Sequence, residues 1–293
     1  MGQAIRVSAP PAFDFLGTIE ALRRGPHDPL HWCDGRRWRR LFAVDGRVFL
    51  VEVTCRRVLT IRRLAGDAPG ELVKRTVTRV LGLDDPGGAL AGRLPLAARQ
   101  LVRAHVGRLL PGHSSLFEAV VHAVLGQQLH AAVANRHRAA FIYAFGMRYD
   151  YRGVGYWAYP TPERFAGVRA SRIRALGIST AKAHAILAIA HSLRDGRLTA
   201  ARLAAMPSED AIAAMSALPG IGRWTSEWVL LRGLRRFEIV PAGDLAVRKA
   251  VAWSLGRGPL LTERQVRYAS RAWAPYGGLV AYRMLNAHRR AVG

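Results

Sequence analysis

Ala217-Leu218-Pro219-Gly220-Ile221-Gly222-Arg223-Trp224-Thr225 sets a tight glycine turn between two stretches of helical periodicity, Glu209 to Ser216 and Arg223 to Leu231. This reads as the hairpin of a helix-hairpin-helix. Gly220 and Gly222 permit positive φ and close backbone approach, so the N–H groups that open the second helix can face a phosphate. Such a contact holds a nucleic-acid backbone without reading its sequence. An ordinary helix-helix turn uses the same residue types, so the hairpin alone leaves that plainer reading open. Downstream, Val240-Pro241-Ala242-Gly243-Asp244-Leu245-Ala246-Val247-Arg248 is a proline-containing loop that delivers Asp244 to the start of an amphipathic helix. Asp244 stands where an N-cap belongs, and a capping aspartate is ordinarily structural.

Outward from the hairpin, Ala- and Leu-rich segments of helical period fill the chain after Leu94. Leu96 to Leu109, Ser115 to Phe145, Ala181 to Arg194, Leu245 to Leu255 and Leu279 to Arg290 join the two already named. Pro160-Thr161-Pro162-Glu163 opens a helix and Gly196 closes one. Arg148 to Tyr159, rich in tyrosine, breaks the period and is expected as an exposed loop. Upstream the pattern changes: from Trp38 to Arg63 apolar and polar residues alternate around the turn dipeptide Asp45-Gly46, which predicts antiparallel strands with a hairpin. Helical patches at Phe15 to Arg24 and Pro69 to Leu83 flank them. The expected architecture is mainly α, with a small α+β unit over residues 1–95 and a helical core over 96–293. No catalytic constellation is read in the first unit.

Composition narrows the partner. Half of the 293 residues are apolar and 8% aromatic, which excludes a disordered chain. Lys plus Arg number 44 against 20 Asp plus Glu, a net charge of +24 that points to a polyanion. Nearly all of it is arginine, which a GC-rich genome would also favour. Cys33 and Cys55 cannot supply the four thiolates of a structural zinc or iron–sulfur site. The N-terminal MGQAIRVSAPPAFDF lacks a signal-peptide core, and no apolar run has the length of a membrane span. A soluble, cytoplasmic, nucleoid-associated protein is expected, without a membrane partner.

A hairpin followed at this distance by a proline loop and an aspartate closely resembles the signature of the helix-hairpin-helix DNA glycosylase superfamily. The resemblance extends along the chain. Leu116-Phe117-Glu118-Ala119-Val120-Val121-His122-Ala123-Val124-Leu125-Gly126-Gln127-Gln128 resembles that family's FExxVxAILGQQ helix. Tyr159-Pro160-Thr161-Pro162-Glu163-Arg164-Phe165 resembles its FPTPE segment, and Ile173 to Ile189, with Lys182-Ala183, its LGxxxxKAxxI segment. With the α+β unit, the match covers nearly the whole chain and is similar to the 3-methyladenine DNA glycosylase II (AlkA-like) branch. That branch implies a two-lobed helical core with the active-site cleft between the lobes and the hairpin at 217–225.

The resemblance assigns roles. Asp244 is the catalytic carboxylate that stabilises oxocarbenium character on the deoxyribose and orients or deprotonates water. Gln128 is the wedge that fills the space left by a flipped nucleotide. Leu218, Gly220, Ile221, Gly222 and Thr225 form the phosphate-binding hairpin. Trp224, Trp228, Leu245 and Leu285 line the base pocket, where electron-rich rings attract the positive charge of an alkylated purine. Trp224 and Trp228 stand four residues apart, on one helix face. Trp224 occupies the position at which bifunctional relatives carry the Schiff-base lysine, so a monofunctional enzyme without β-lyase activity is implied. Lys249 reads as a solvated helix residue.

Leu245 replaces the branch's usual aromatic after the aspartate, and Leu285-Asn286 its usual Leu-Trp pair, so the pocket is remodelled. His130 replaces a small hydroxyl residue. No cofactor is required, a monovalent cation at the hairpin is allowed, and no other metal site is implied. The expected partner is double-stranded DNA containing damaged bases, bound by a monomer. Two other readings stay open: a glycosylase for oxidised or deaminated purines, and a non-catalytic helix-hairpin-helix DNA-binding protein. Retained Asp244 weighs against the second, because a binding module would not need it.

Overall fold

The computed structural model describes residues 4–10, 13–23, 25, 28–86, 107 and 109–292. The helix expected over Leu96 to Leu109 falls largely outside that set. The rest is mainly helical, preceded by a five-stranded antiparallel sheet of order β1-β5-β4-β3-β2, with β1 Ile5–Val7, β2 Trp32–Asp34, β3 Arg37–Val44, β4 Arg47–Cys55 and β5 Leu59–Gly66. The Asp45-Gly46 turn joins β3 to β4 with Val44 opposite Arg47, as the alternation requires. One face of the sheet buries Trp38, Phe42, Phe49, Val51 and Val53 against α1 (Phe15–Leu22) and α2 (Gly70–Leu81).

The other face is covered by a segment expected to be loop. Met147–Tyr151 and Val154–Ala158 form an antiparallel hairpin, β6 and β7, closed by Arg152 and Gly153 at φ 50° and 76°. Tyr156 and Ala158 pack on Leu41 and Leu50, and the Tyr156 hydroxyl accepts from Arg39 at 3.1 Å. The overlooked signal is alternation in Val-Gly-Tyr-Trp-Ala after a turn-forming Arg-Gly. Residues 147–158, which fall within the stretch expected as helical core, thus pack on the sheet of the first unit.

The helical period fares well in kind and less well in continuity. Ser115 to Phe145, expected as one helix, is two: α3 (Leu116–Gly126), capped by Ser115, and α4 (Ala131–Phe145). The break comes at Gln128, whose φ is 53°. After a short 3-10 turn Pro162–Phe165 come α5 (Ala170–Arg174), α6 (Thr180–Arg194), α7 (Ala200–Ala205), α8 (Ser208–Ser216), α9 (Arg223–Gly233), α10 (Leu245–Ser254), α11 (Glu263–Ser270) and α12 (Gly277–Val292). These make two cores. One joins α3, α4, α6 and α8 through Phe117, Val121, Phe141, Ile186 and Met215; the other joins α10 and α12 through Val247, Val251, Met284 and Leu285. The α9 helix contributes to both, with Val229 and Leu230 in the first and Leu231 in the second.

Buried charge ties the units together. Arg40 on β3 places Nη2 2.8 Å from both carboxylate oxygens of Glu118 on α3. His113 and the amide and hydroxyl of Ser114 complete the Glu118 shell. Burial alone would push this carboxyl up, but Arg40, His113 and Ser114 outweigh it and hold Glu118 well below the usual range. Arg283 on α12 pairs similarly with buried Asp85, at 2.8 Å.

Candidate active site

The hairpin between α8 and α9 turns on two unequal glycines. Gly220 has φ +73°, and a Cβ there would meet the Ala185 Cβ of α6 at 2.9 Å. Both the conformation and the contact call for glycine. Gly222 differs from expectation: its φ is −93°, which any residue adopts, and a Cβ would meet nothing within 4 Å. Its value is the open face it leaves in front of the first amides of α9. Leu218 is half-buried in the first core and Ile221 is buried, with the Ile221 amide closing the turn on Leu218 O at 3.1 Å. Thr225 is also buried, and its Oγ1 accepts from Gln127 Nε2 at 2.9 Å. These three side chains anchor the hairpin from its inner side.

Asp244 caps α10. Its Oδ1 accepts from the amides of Ala246 and Val247 at 2.9 and 3.1 Å. Its Oδ2 accepts from two indoles, Trp224 Nε1 at 2.8 Å and Trp228 Nε1 at 3.1 Å. The expected placement of both tryptophans on one face of α9 is observed, and their N–H edges converge on the carboxylate. Upstream, the Asp244 amide donates to Pro241 O at 3.0 Å, which closes the loop tightly before the helix begins.

The other expected pocket residues separate. Leu245 is 53% exposed beside the carboxylate. Leu285 is 2% exposed and packed with Met284 inside the second core, where it shapes α12. Of the lysines, Lys249 is exposed on α10, Lys74 lies on α2, and Lys182 donates to Gln127 O at 2.7 Å. None is recorded in contact with Asp244.

Gln128, Leu129 and His130 are exposed at the α3–α4 break. Leu129, an exposed apolar neighbour of the expected wedge, carries no signal in sequence that separates it from the helices beside it. Gln127 is more than a helix cap. Its Nε2 donates to Gly220 O at 3.0 Å and to Thr225, while Lys182 holds its carbonyl, so the α3–α4 loop is tied to the hairpin and to α6. Burial, with Arg138 nearby, lowers the Lys182 ammonium from its usual value. No local pattern could reveal this clamp, because Gln127 and Gly220 stand 93 residues apart.

A charged ladder braces the outer side of the hairpin. Arg223 grips Glu209 through two bonds of 2.9 and 2.8 Å and reaches buried Glu227 at 2.9 Å, which also accepts from Arg267 at 2.7 Å. Burial raises the Glu227 carboxyl despite the pull of both arginines. Among the described residues no group of three or more His, Cys, Asp or Glu is placed to hold a metal ion. No described helix is long and apolar enough to cross a membrane.

A carboxylate fixed at a helix start, facing a glycine hairpin of open backbone amides, is the arrangement of a helix-hairpin-helix protein. The family model described as HhH-GPD superfamily base excision DNA repair protein matches residues 121–275, more than half of the chain, and the chain belongs to that superfamily. The DNA-3-methyladenine glycosylase of Bacillus subtilis (strain 168) is 25% identical, with 97% of this chain and 98% of the relative covered. DNA-3-methyladenine glycosylase 2 of Escherichia coli (strain K12) is 30% identical over 60% of this chain and 62% of its own length. A solved 3-methyladenine DNA glycosylase from Archaeoglobus fulgidus superposes with a TM-score of 0.84 at 24% identity, covering 99% of each chain, which shows the fold.

Proposed function

We propose that this chain is a monofunctional DNA glycosylase of base excision repair that hydrolyses the N-glycosidic bond of alkylated bases of the 3-methyladenine and 7-methylguanine type. The observation that carries this reading is the Asp244 carboxylate, held by four N–H donors beside the hairpin with no lysine recorded against it. The names of the relatives support the substrate class.

In this reading the hairpin amides take the backbone phosphate, Gln128 with Leu129 enters the vacated stack, and the damaged nucleotide turns toward Asp244. An alkylated purine carries positive charge, so the bonding pair of C1′–N leaves with the base and neutralises it. Positive charge then grows on the sugar, opposite the fixed negative charge of Asp244. A carboxylate has about four lone-pair sites, and here four donors occupy them. Asp244 therefore acts chiefly as a fixed anion; water adds to C1′ and its proton passes to solvent. Trp224 and Trp228, half-buried at the carboxylate, place electron-rich rings where the cationic base arrives. With Trp224 at the position of the amine nucleophile, the reaction leaves an abasic site and an intact strand. The enzyme works as a monomer on double-stranded DNA, in the cytoplasm at the nucleoid, without a required cofactor; a monovalent cation at the hairpin carbonyls is compatible with the reading.

The test is base release from a methylated duplex by wild type and Asp244→Asn, with and without hot alkali. Release by wild type only, with breaks only after alkali, is the expected result. Breaks without alkali would refute the monofunctional assignment. Silence on methylpurines with release of oxidised or deaminated purines would move the substrate, and binding without any release would leave a DNA-binding protein.

A further inference from the structure

We propose that the exposed stripe formed by Arg264 and Tyr268 on α11 and by Arg271 directly after its last turn, with Arg257 beside it, is a second DNA contact that binds the phosphodiester backbone of the duplex arm flanking the flipped nucleotide. The proposal rests on the DNA-directed reading of the catalytic site. Within α11 Val266 is the one fully buried side chain, and positions 264, 268 and 271 lie on the opposite face at helical spacing. Tyr268 is 70% exposed, the most exposed aromatic side chain among the described residues, so its ring contributes little to any core. Arg271 lies over that ring, 5.7 Å from its centroid, and Arg257 joins it at the next edge of the same surface depression.

Charge on this face is sorted by use. Arg267 is spent on the protein, bound to Glu227 and Glu263 at 2.7 and 2.6 Å. Glu263 is the one carboxylate lining the depression around Tyr268, and Arg267 neutralises it. Arg257, Arg264 and Arg271 have no carboxylate partner among the described residues, and all three are exposed. The face thus offers three free guanidinium groups and a phenolic hydroxyl, the donor set that recurs on phosphate oxygens.

Position selects DNA as the polyanion. Glu263 Oε2 stands 3.4 Å from where a Gly243 Cβ would sit, so the first turn of α11 lies against the loop that carries Asp244. From Arg264 to Arg271 the stripe runs about 10 Å along the helix, enough for roughly three phosphates of one strand. A duplex whose target nucleotide meets Asp244 would carry its flanking strand across this face.

The experiment uses the full chain and abasic-analogue duplexes of two lengths, a short one of about 10 base pairs centred on the lesion and a long one of about 25. For Arg264→Gln/Tyr268→Ala/Arg271→Gln, Kd on the long duplex should rise about 10- to 100-fold at moderate salt, and the slope of log Kd against log salt should fall by about 2. The short duplex should bind almost as before, and single-turnover excision at saturating enzyme should stay within about twofold. Arg264→Gln alone should lower the slope by about 1 with an unchanged Tm. An unchanged slope on the long duplex overturns the proposal, as does an equal loss on both lengths. Because abasic-analogue binding needs no base release, a failed excision assay with a lowered slope would reject the glycosylase reading and keep the surface, and the reverse pair would do the opposite.

Discussion

The indole N–H of Trp224 donates to Asp244 Oδ2 at 2.8 Å, across 20 residues of sequence, in the same hydrogen-bond shell as Trp228. A side chain expected to meet the base also fixes the carboxylate proposed to face the sugar. Hydrogen bonds to a charged acceptor contribute more than neutral ones, and two of them fix the rotamer that the backbone amides of α10 begin to set.

Replacing either indole by phenylalanine keeps an aromatic ring and removes the donor. Trp224→Phe should slow single-turnover release of methylpurine by roughly 10- to 100-fold, and Trp228→Phe somewhat less, given its longer 3.1 Å bond. The two changes should combine less than multiplicatively, because they share one acceptor. Abasic-site DNA should bind within about threefold of wild type. Full activity in both variants would mean that the amides of Ala246 and Val247 suffice.

The two hairpin glycines should separate in their effects. Gly220→Ala forces a side chain into positive φ and against Ala185, at a cost of about 1–3 kcal/mol, and thermal melting should show a clearly lowered Tm. Gly222→Ala adds a methyl group to open space, so Tm should hold. Its DNA affinity should nevertheless fall about tenfold in a binding titration, because the methyl group stands where phosphate approaches. Unchanged affinity would place the phosphate elsewhere.

Gln127→Ala removes both bonds from the α3–α4 loop to the hairpin. Thr225 Oγ1 is then left buried with a lost donor, costing about 1–3 kcal/mol. Fluorescence from a base analogue opposite the lesion should report slower flipping, while Gln127→Glu, which keeps the shape and loses the donor, should behave alike. Normal flipping in both would show that Lys182 alone holds the loop.

Acid should release the Arg40–Glu118 pair. The folded-state carboxyl of Glu118 lies well below its usual value, so its stabilisation is complete above the ordinary glutamate range and is lost as pH falls through the folded value. Glu118→Gln leaves Arg40 buried without its counter-ion and should cost about 3–5 kcal/mol near neutral pH. Acidification should then lower the Tm of wild type more than that of the variant; parallel curves would remove Glu118 as the acid-sensitive group.

Much of this site was legible because its rules are short-range. An N-cap is decided within three residues, so Asp244 could be placed at the head of α10 from the proline loop and the period that follows. Gly220 was legible through its turn, and the β3–β4 register through Asp45-Gly46. The same local reasoning missed β6 and β7, whose alternation is brief, and ran α3 and α4 into one segment, because helical period persists on both sides of the short break Gln127–His130.

What the sequence by itself determined was the order of most elements, the hairpin and the aspartate that follows it. Only the tertiary structure decided where distant side chains point. It aimed two indole edges at Asp244, buried Leu285 in a core, left Leu245 at the surface, and bound Gln127 to Gly220. The reason is that backbone propensities act over a turn or two, whereas these contacts form only when α3, α9, α10 and α12 have packed and their shared volume has fixed each rotamer.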